Sequence, residues 1–279
     1  MCVKWGSLTS DLFSVSNGVR QGSILSPHFF NVYVDDLSTQ LNKLKIGCLL
    51  CDFIINHLLY ADDIVLISPS SAGLKKLLSV CEKFGDDNDM LFNASKSAIM
   101  LSKSSYMPYF HIPTFRLNGN SIDVVQKFKY LGHFVSANMS DKEDIERQRK
   151  KLYAQGNSLI RKFHMCTLDT KLVLFNTYCS AMYTAQLWTN YTNTSINKLY
   201  TAYHNILKSF IGVKKREYTS PICVDLNVRN CPAVIRNLVF RFMNRLQTSS
   251  NVIISSIYSS SCFYNSQIWK HWRFLLYIS

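Results

Sequence analysis

The chain has 279 residues, of which 47% are apolar, so it is long and apolar enough to form one large domain or two small ones. This composition excludes a disordered or collagen-like polymer, and the net charge of +13 favours an acidic partner. No stretch has the roughly 18 uninterrupted apolar residues of a membrane helix, and the first residues lack a secretory leader. We therefore expect an intracellular protein, nuclear or cytoplasmic, with no membrane partner.

The first residues predict a hairpin followed by a helix. Residues 1–25 alternate in character and contain Asn17-Gly18, a dipeptide typical of reverse turns. Ser26-Pro27 then supplies an N-cap and a first-turn proline. Apolar side chains recur every four residues and predict a helix of about four turns; they are Phe29, Tyr33, Leu37 and Leu41.

Strands and one helix are expected to alternate through the rest of the first half. Residues 58–67 consist of two apolar arms around an acidic pair, which predicts a strand, a tight turn and a second strand. Ser70-Ser71 caps a helix whose apolar positions run from Leu74 to Phe84, with Glu82 available to solvent. Residues 91–93 and 98–101 resume strand character. Two hairpins follow, one over 115–125 around Asn118-Gly119-Asn120 and one opening at 128–132.

The pattern changes at Asp141. Apolar residues between Leu152 and Phe210 are spaced for helices, and Lys214-Lys215-Arg216 indicates an exposed connector. Serines dominate beyond about residue 247, where the sequence supports no definite structure. The first half is therefore predicted to be a mixed α/β or α+β layer, and the second half a basic helical module.

Charge divides the chain in the same way. Residues 1–146 contain 13 basic and 15 acidic residues, a net charge of −2, whereas residues 147–279 contain 18 basic and 3 acidic residues, a net charge of +15. This asymmetry indicates a cationic surface that holds a polyanion, most plausibly nucleic acid. The alternative is a basic domain whose charge only keeps it soluble.

Nine cysteines are scattered through apolar surroundings, as thiols are in a reducing compartment. Cys48 and Cys51 form a C-x-x-C pair, but the residues between them are leucines within an apolar run. A zinc or redox site needs a second ligand pair or a strand-to-helix context. We therefore interpret the cysteines as structural thiols.

Tyr60-Ala61-Asp62-Asp63 places two carboxylates at the tip of the predicted hairpin. Adjacent acids repel each other, and a divalent cation would offset that repulsion. Oxygen ligands suit Mg²⁺, which retains water and takes further oxygens from phosphates, as in two-metal phosphoryl transfer. The alternative is an ordinary acidic turn.

The same Y-x-D-D pattern occurs earlier, as Tyr33-Val34-Asp35-Asp36, within the predicted helix. Neighbouring residues of a helix point about 100° apart, so this pair cannot face one metal cluster from a turn. We interpret Asp35 and Asp36 as a partly exposed helical pair.

Four motifs then occur in a recognisable order, and together they resemble the palm of reverse transcriptases from non-long-terminal-repeat (LINE-type) retrotransposons. They are Gly18-Val19-Arg20-Gln21-Gly22-Ser23-Ile24-Leu25-Ser26-Pro27, Tyr60-Ala61-Asp62-Asp63, Leu91-Phe92-Asn93 with Lys96-Ser97, and Tyr130-Leu131-Gly132. The likeness covers about residues 15–140 and extends more loosely to about residue 247. It implies an RNA-directed DNA polymerase that copies an RNA template from a DNA primer with deoxynucleotide triphosphates and two Mg²⁺ ions.

The resemblance also implies a role for each matching residue. Asp62 and Asp63 match the metal ligands, with Tyr60 and Ala61 shaping the turn beside the primer end. Arg20, Gln21 and Gly22 would lie at the nascent base pair, and Lys96 would donate a proton to the departing pyrophosphate. The primer grip would be formed by Tyr130, Leu131 and Gly132. Residues of the helical half that could meet the phosphates of the duplex are Arg147, Lys150, Lys151, Arg161 and Lys162.

One departure from the family pattern bears on activity. The family has an earlier aromatic-x-Asp motif that contributes a third carboxylate, and it should precede Gly18, where Asp11 lacks that setting. The fingers are missing as well. Two of three ligands would place the ions poorly, so we expect the chain alone to be inactive or nearly so, with an upstream polypeptide as a possible source of the rest. The alternatives are a nucleic-acid-binding remnant without chemistry and a product that folds poorly because its sheet has lost a strand.

The resemblance implies an α+β chain of three parts. Residues 1–140 would form a partial polymerase palm, an antiparallel sheet with packed helices, and residues 141–220 an all-helical, basic, thumb-like region. Residues 221–279 would form a C-terminal extension.

Overall fold

A computed structural model describes residues 2–14, 22–50, 52–102, 112–214 and 216–277. These residues form two compact units. The first unit contains the described residues up to 94 together with residues 112–121, and the second contains residues 95–102 and the described residues from 122 onward.

Both strands and helices occur among the described residues, which confirms the α+β class. The strands are β1 (Lys4–Trp5), β2 (Leu8–Thr9), β3 (Cys48–Leu50), β4 (Phe53–Ile55), β5 (His57–Tyr60), β6 (Asp63–Leu66), β7 (Ala98–Met100), β8 (Arg116–Leu117), β9 (Asn120–Ser121), β10 (Asp123–Val125), β11 (Lys127–Tyr130) and β12 (His133–Ser136). The helices are α1 (Ser26–Lys43), α2 (Ser71–Asp87), α3 (Lys142–Phe163), α4 (Leu168–Tyr178), α5 (Asn193–Ile211), α6 (Thr219–Asp225), α7 (Cys231–Gln247), α8 (Val252–Ser259), α9 (Ser261–Asn265) and α10 (Gln267–Tyr277).

The strands pair two at a time. Five ladders are antiparallel hairpins, namely β1–β2, β3–β4, β5–β6, β8–β9 and β11–β12, while β7 and β10 pair in parallel. Asn118 and Gly119 connect β8 to β9 with φ values of 50° and 75°. Such left-handed conformations suit Asn and Gly, so this turn forms where the sequence predicts it.

The first unit has a small core between α1 and α2. Leu37 and Leu41 lie one turn apart on α1 and are fully buried against Leu77, Cys81 and Phe84 of α2. Ser70 caps α2, since its side chain accepts a hydrogen bond from the Gly73 backbone N–H at 3.1 Å, as predicted. Ile64 and Leu66 of β6 pack against the same core and attach the β5–β6 hairpin to the helices.

Helix α1 differs in detail from the prediction. It has 18 residues, and Leu25 rather than Ser26 occupies the N-cap, without a side-chain hydrogen bond. Phe29 and Tyr33 remain 57% and 43% exposed, while Val34 is buried. Residues spaced four apart drift around a helix with 3.6 residues per turn. Phe29 therefore turns away from the core, whereas the Tyr33 ring still meets the buried Phe84 ring edge to face, with centroids 6.3 Å apart.

The β1–β2 hairpin turns after Trp5, and the predicted turn at Asn17-Gly18 lies outside the described residues. Three other local predictions are wrong. Residues 91–93 form no strand, and Leu91 is 85% exposed. Glu82 is only partly exposed and accepts a hydrogen bond from the Asn118 backbone N–H at 2.6 Å. Finally, the hairpin over 115–125 ends at Ser121, because β10 pairs with β7 instead.

The second unit is a helical bundle built around α3 and α5. Its buried residues come from nearly every helix and include Leu152, Phe175, Leu199 and Tyr203. Gly156 of α3 lies against Ile206 of α5, at a position where a Cβ atom would be 2.3 Å from the isoleucine Cγ2. The predicted helical second half is therefore confirmed.

The serine-rich C-terminal residues are helical as well, although their sequence supported no definite structure. Trp272 of α10 is fully buried, and its indole N–H donates to the Gln186 carbonyl at 3.0 Å. Ser260 caps α9 through the Phe263 N–H. Ser266 likewise accepts from the Trp269 N–H, so two serines cap the starts of short helices in this segment.

The described cysteines are free thiols, and Cys51 lies outside the described residues. Burial raises the pKa of Cys81 and of Cys179 to about 12. Among the described residues, no helix combines the length and the apolar character that crossing a bilayer requires.

Candidate active site

The acidic pair of the candidate site lies at the tip of the β5–β6 hairpin, as predicted from the sequence. Tyr60 pairs with Asp63, and Ala61 and Asp62 form the two-residue connection. Ala61 has φ 49°, a left-handed conformation that is unfavourable for a residue with a side chain. The hairpin therefore holds a strained turn beside its two carboxylates.

Tyr60, Asp62 and Asp63 are exposed at this tip. Neither carboxylate has a hydrogen-bond or ion-pair partner among the described residues, although their neighbours Ile64 and Leu66 pack into the core. Two adjacent carboxylates are thus held at a fixed point of the fold with their oxygens free.

The base of the hairpin is attached to α1 by a buried asparagine. Asn56 is 2% exposed, and its side-chain amide donates to the Leu41 carbonyl at 2.8 Å. Its carbonyl oxygen lies 2.6 Å from Nδ1 of His57, which therefore carries the proton. The other ring nitrogen, Nε2, accepts from the Ser38 hydroxyl at 2.8 Å.

Burial lowers the pKa of His57, which favours the neutral imidazole that this arrangement requires. No motif in the sequence predicts a functional role for Asn56, His57 or Ser38. The available signal was a polar Asn-His dipeptide between two apolar runs, since buried polar groups require hydrogen-bond partners.

The carboxylates have the chemistry of a divalent-cation site but supply only part of one. Carboxylate oxygens are suitable ligands for a hard cation, and Mg²⁺ is commonly bound by one or two carboxylates together with waters and substrate phosphates. Within the described ranges, no group of three histidines, cysteines or acids is close enough to hold a metal ion. Asp62 and Asp63 therefore fit a cation that takes its remaining ligands from elsewhere.

The second Y-x-D-D copy provides an internal comparison. Asp35 and Asp36 lie in the middle of α1 and are exposed, as predicted. Their Tyr33 bonds through its hydroxyl to the Asn88 carbonyl rather than shaping a turn. The same four-residue pattern thus gives a hairpin tip in one context and a helical surface in the other.

The structure covers only part of the predicted nucleotide-binding loop. Arg20 and Gln21 lie outside the described residues. Gly22 has φ 82°, and no atom of the residues described around it lies within 4 Å of the position that a Cβ would take. The backbone conformation alone therefore favours glycine at this position.

Lys96 belongs to the second unit and ends a short 3-10 turn, Ala94–Lys96, just before β7. Its side chain is exposed.

Tyr130, Leu131 and Gly132 form the end of β11 and the turn into β12. Leu131 and Gly132 have φ values of 46° and 81°, so this hairpin also turns through left-handed residues. The Tyr183 hydroxyl donates to the Leu131 carbonyl at 3.0 Å, and a Cβ on Gly132 would lie 3.1 Å from the Tyr183 ring. Tyr183 thus supports the turn from outside the hairpin.

A buried carboxylate holds the same hairpin against α3. Asp144 is fully buried and accepts hydrogen bonds from the Phe134 backbone N–H at 3.1 Å and from Arg147 Nε at 2.7 Å. It also accepts from the Thr184 hydroxyl and the Trp188 indole, each at 2.8 Å, and lies 3.1 Å from Nδ1 of His133. Burial works to raise the pKa of Asp144, but these donors outweigh it and hold the pKa below its usual range.

The basic residues predicted to meet phosphates all lie on α3 but differ in their surroundings. Arg147 is engaged by Asp144 and also donates to the Thr184 hydroxyl at 3.3 Å. The others are exposed and have no ion-pair partner among the described residues: Lys150, Lys151, Arg161 and Lys162. Lys150 and Arg161 are eleven positions apart, as are Lys151 and Lys162. Eleven residues span about 17 Å and three turns, so the members of each pair lie on the same face of the helix.

Part of the chain matches a known protein family. Residues 4–135 match the family model described as "Reverse transcriptase (RNA-dependent DNA polymerase)". The chain is 21% and 22% identical to the RNA-directed DNA polymerases from mobile element jockey of Drosophila funebris and Drosophila melanogaster. These alignments cover 85% and 87% of the chain but only 26% and 27% of those polymerases.

A shorter alignment is closer in sequence. The chain is 32% identical to the Pol polyprotein from type-1 retrotransposable element R2 of Popillia japonica over 135 residues. This alignment covers 46% of the chain and 22% of that protein. The chain thus spans about a quarter of the length of the curated relatives it matches.

Proposed function

We propose that this chain carries the metal-binding part of an RNA-directed DNA polymerase of a non-LTR retrotransposon, because residues 4–135 match the reverse transcriptase family and the chain resembles the jockey polymerases. The observation that supports this function best is the tip of the β5–β6 hairpin. Its two carboxylates are exposed and lack partners among the described residues, while the hairpin behind them is fixed to the core.

In this proposal, Asp62 and Asp63 bind Mg²⁺. When bound, the cations would lower the barrier to attack by the primer hydroxyl and neutralise charge on the leaving pyrophosphate. The anchored hairpin would fix the carboxylates relative to the primer end, because two-metal chemistry depends on closely defined positions. Tyr60 and Ala61 would shape that tip.

Other residues would act on the nucleic acid and the nucleotide. Arg20, Gln21 and Gly22 would lie against the nascent base pair, where glycine leaves the template unobstructed. Lys96 would give its proton to pyrophosphate. The turn formed by Tyr130, Leu131 and Gly132 would position the primer strand, with Tyr183 supporting it.

We further propose that catalysis requires a third carboxylate from polypeptide outside this sequence, together with the fingers. The described residues supply two ligands, and the jockey polymerases are almost four times as long as the region that this chain matches. An incomplete set of ligands would hold the ions too loosely for efficient transfer.

Primer extension on an RNA template tests this function. We expect the chain alone to extend a DNA primer very weakly or not at all in Mg²⁺ and deoxynucleotides. If extension occurs, Asp62→Asn should abolish it and the matched variant Asp35→Asn should not.

Two results would contradict parts of the proposal. Robust extension that depends on Asp62 would support the active site but refute the need for a third carboxylate from elsewhere. Extension that survives Asp62→Asn would refute the assignment of the β5–β6 tip.

The second candidate function is nucleic-acid binding without chemistry. It is favoured by the four exposed basic residues of α3 and by the net charge of +15 over residues 147–279. Each phosphate contact releases counterions, so binding should weaken steeply as salt rises. Replacing Lys150, Lys151, Arg161 and Lys162 with glutamine should reduce that salt dependence, whereas binding that ignores salt would contradict this function.

A further inference from the structure

The C-terminal part of the second unit, from α7 to α10, carries a second set of exposed basic residues. The family model does not cover this part. Residues 226–279 contain no aspartate or glutamate but six arginines and lysines. The reverse transcriptase match ends at residue 135. Without acids in this segment, its positive charge has no local partner in sequence.

Helix α7 presents part of this charge on the face opposite its core contacts. Val234, Ile235, Val239 and Met243 are buried in the unit's core. The exposed face contains Phe240, Arg241, Asn244 and Arg245, and the ring of Phe240 is 53% exposed. An exposed aromatic ring is thus directly followed by an exposed arginine.

Helix α10 has the same combination. Lys270, Arg273 and Phe274 are exposed and follow one another at i, i+3 and i+4, so they share one face of the helix. The Phe274 ring is 57% exposed. Here an exposed arginine is directly followed by an exposed aromatic ring.

The two helices are fixed to each other and to the rest of the unit. The rings of Phe242 on α7 and Trp272 on α10 meet edge to face, with centroids 5.7 Å apart. Trp272 bonds to the Gln186 carbonyl, and Oη of Tyr191 lies 3.0 Å from Nε2 of His271. The exposed rings and cations therefore lie on two helices whose packing is fixed by other residues.

We propose that the exposed faces of α7 and α10 bind single-stranded nucleic acid. Unpaired bases would stack on Phe240 and Phe274, while the phosphates would contact Arg241, Arg245, Lys270 and Arg273. Aromatic rings beside cations are the elements with which proteins hold single strands without reading their sequence. A duplex hides the faces of its bases, so the rings give an advantage to single strands.

The composition of these faces disfavours a membrane surface as the partner. A helix that lies on a bilayer needs a broad, continuous apolar face. The exposed faces of α7 and α10 each contain one phenyl ring among charged and polar side chains.

This inference rests on the proposed nucleic-acid binding of the helical half, but it concerns residues distinct from those on α3. Fluorescence anisotropy of the full chain with a 20-nucleotide single-stranded RNA and with a duplex of equal length separates the two. The Phe240→Ala, Phe274→Ala double variant should weaken single-strand binding by about tenfold or more and change duplex binding less than about twofold.

Matched variants make the result specific. Phe29→Ala removes a ring that is also 57% exposed, but on α1, and should leave binding unchanged. Replacing Arg241, Arg245, Lys270 and Arg273 with glutamine should lower the salt slope by about 2 to 3, since each contact to a single strand contributes about 0.7. Circular dichroism and thermal melting should show that these surface variants fold normally.

A photo-reactive RNA identifies the contact independently of affinity. A single strand carrying 5-iodouracil should crosslink to peptides containing Phe240 or Phe274. The proposal is overturned if the double-ring variant binds single strands like the wild type, or if the variants lose binding to anionic vesicles instead. If the wild-type chain binds no RNA at all, the proposed nucleic-acid binding by the helical half is refuted together with this inference. If only the glutamine variant of the four α3 residues loses RNA binding, the inference about α7 and α10 is refuted alone.

Discussion

Removing the charge of Asp144 should destabilise the second unit more than any other conservative change on α3. The carboxylate is fully buried and accepts four hydrogen bonds, from the Phe134 N–H, Arg147, Thr184 and Trp188. Asp144→Asn keeps the shape but replaces one acceptor oxygen with a donor. Arg147 then remains half-buried without its counter-charge, a loss that costs about 3–5 kcal/mol in comparable buried pairs.

That loss is a large fraction of the roughly 5–15 kcal/mol that stabilises a typical domain. Urea denaturation followed by circular dichroism should show a marked fall in the midpoint with little change in slope. The control is Glu143→Gln, one residue earlier on α3. Glu143 is half-exposed and 3.1 Å from Lys127, so its loss should cost less than about 1 kcal/mol.

The pH dependence provides a second measurement of the same interaction. The pKa of Asp144 is lowered in the folded state, so its contribution is fully present above the ordinary value of 3.8. It is lost as the pH falls from there through the lowered folded-state pKa. Asp141 opposes this trend, because burial raises its pKa despite hydrogen bonds from the Thr189 and Asn190 amides.

The acid sensitivity of stability should therefore be smaller in Asp144→Asn than in the wild type. Equal acid sensitivity in the two proteins, or a loss below about 1 kcal/mol in Asp144→Asn at neutral pH, would refute this account of the network.

Three further substitutions test other parts of the fold. Asn56→Ala should cost about 1–3 kcal/mol and accelerate hydrogen exchange in β5 and β6, because it removes the buried bonds to Leu41 and His57; unchanged exchange would show that the hairpin is held by other contacts. Gly156→Ala should lower stability by about 1–2 kcal/mol in urea denaturation through its contact with Ile206, whereas the exposed neighbour Asn157→Ala should not, and a stabilised Gly156→Ala protein would contradict the close packing of α3 on α5. Gly132→Ala should lower stability by about 1–2 kcal/mol because of its left-handed backbone, and further because the new Cβ would meet the Tyr183 ring. Gly119→Ala is the control, since Gly119 has a similar φ but no such neighbour among the described residues. An equal loss of thermal stability in the two variants would mean that the Tyr183 contact does not restrict position 132.

Local structure was predictable where it depends on neighbouring residues. The Ser70 cap, the Asn118-Gly119 turn and the β5–β6 hairpin each depend on a few adjacent side chains, so the sequence indicates them directly. The contrast between the two Y-x-D-D copies was predictable for the same reason. One copy lies in a helical periodicity, and the other lies between two apolar arms.

The unpredicted features depend on contacts between distant residues. The parallel pairing of β7 with β10 joins segments about 25 positions apart, which no local pattern specifies. Phe29 matched a helical face but lies beyond the reach of the α2 core. Charge alone grouped Arg147 with the phosphate-binding residues, whereas its position three residues after the buried Asp144 gives it a partner within the protein.

The central claim is that Asp62 and Asp63 form a cation site, and Mn²⁺ titration followed by NMR tests it most directly. Mn²⁺ can replace Mg²⁺ at oxygen ligands and broadens signals from nearby nuclei. The account predicts that low Mn²⁺ concentrations broaden the backbone signals of Tyr60 to Ile64 before those of Tyr33 to Leu37, and that Asp62→Asn with Asp63→Asn removes the effect. Equal broadening at Asp35 and Asp36, or broadening that survives the double substitution, would contradict it.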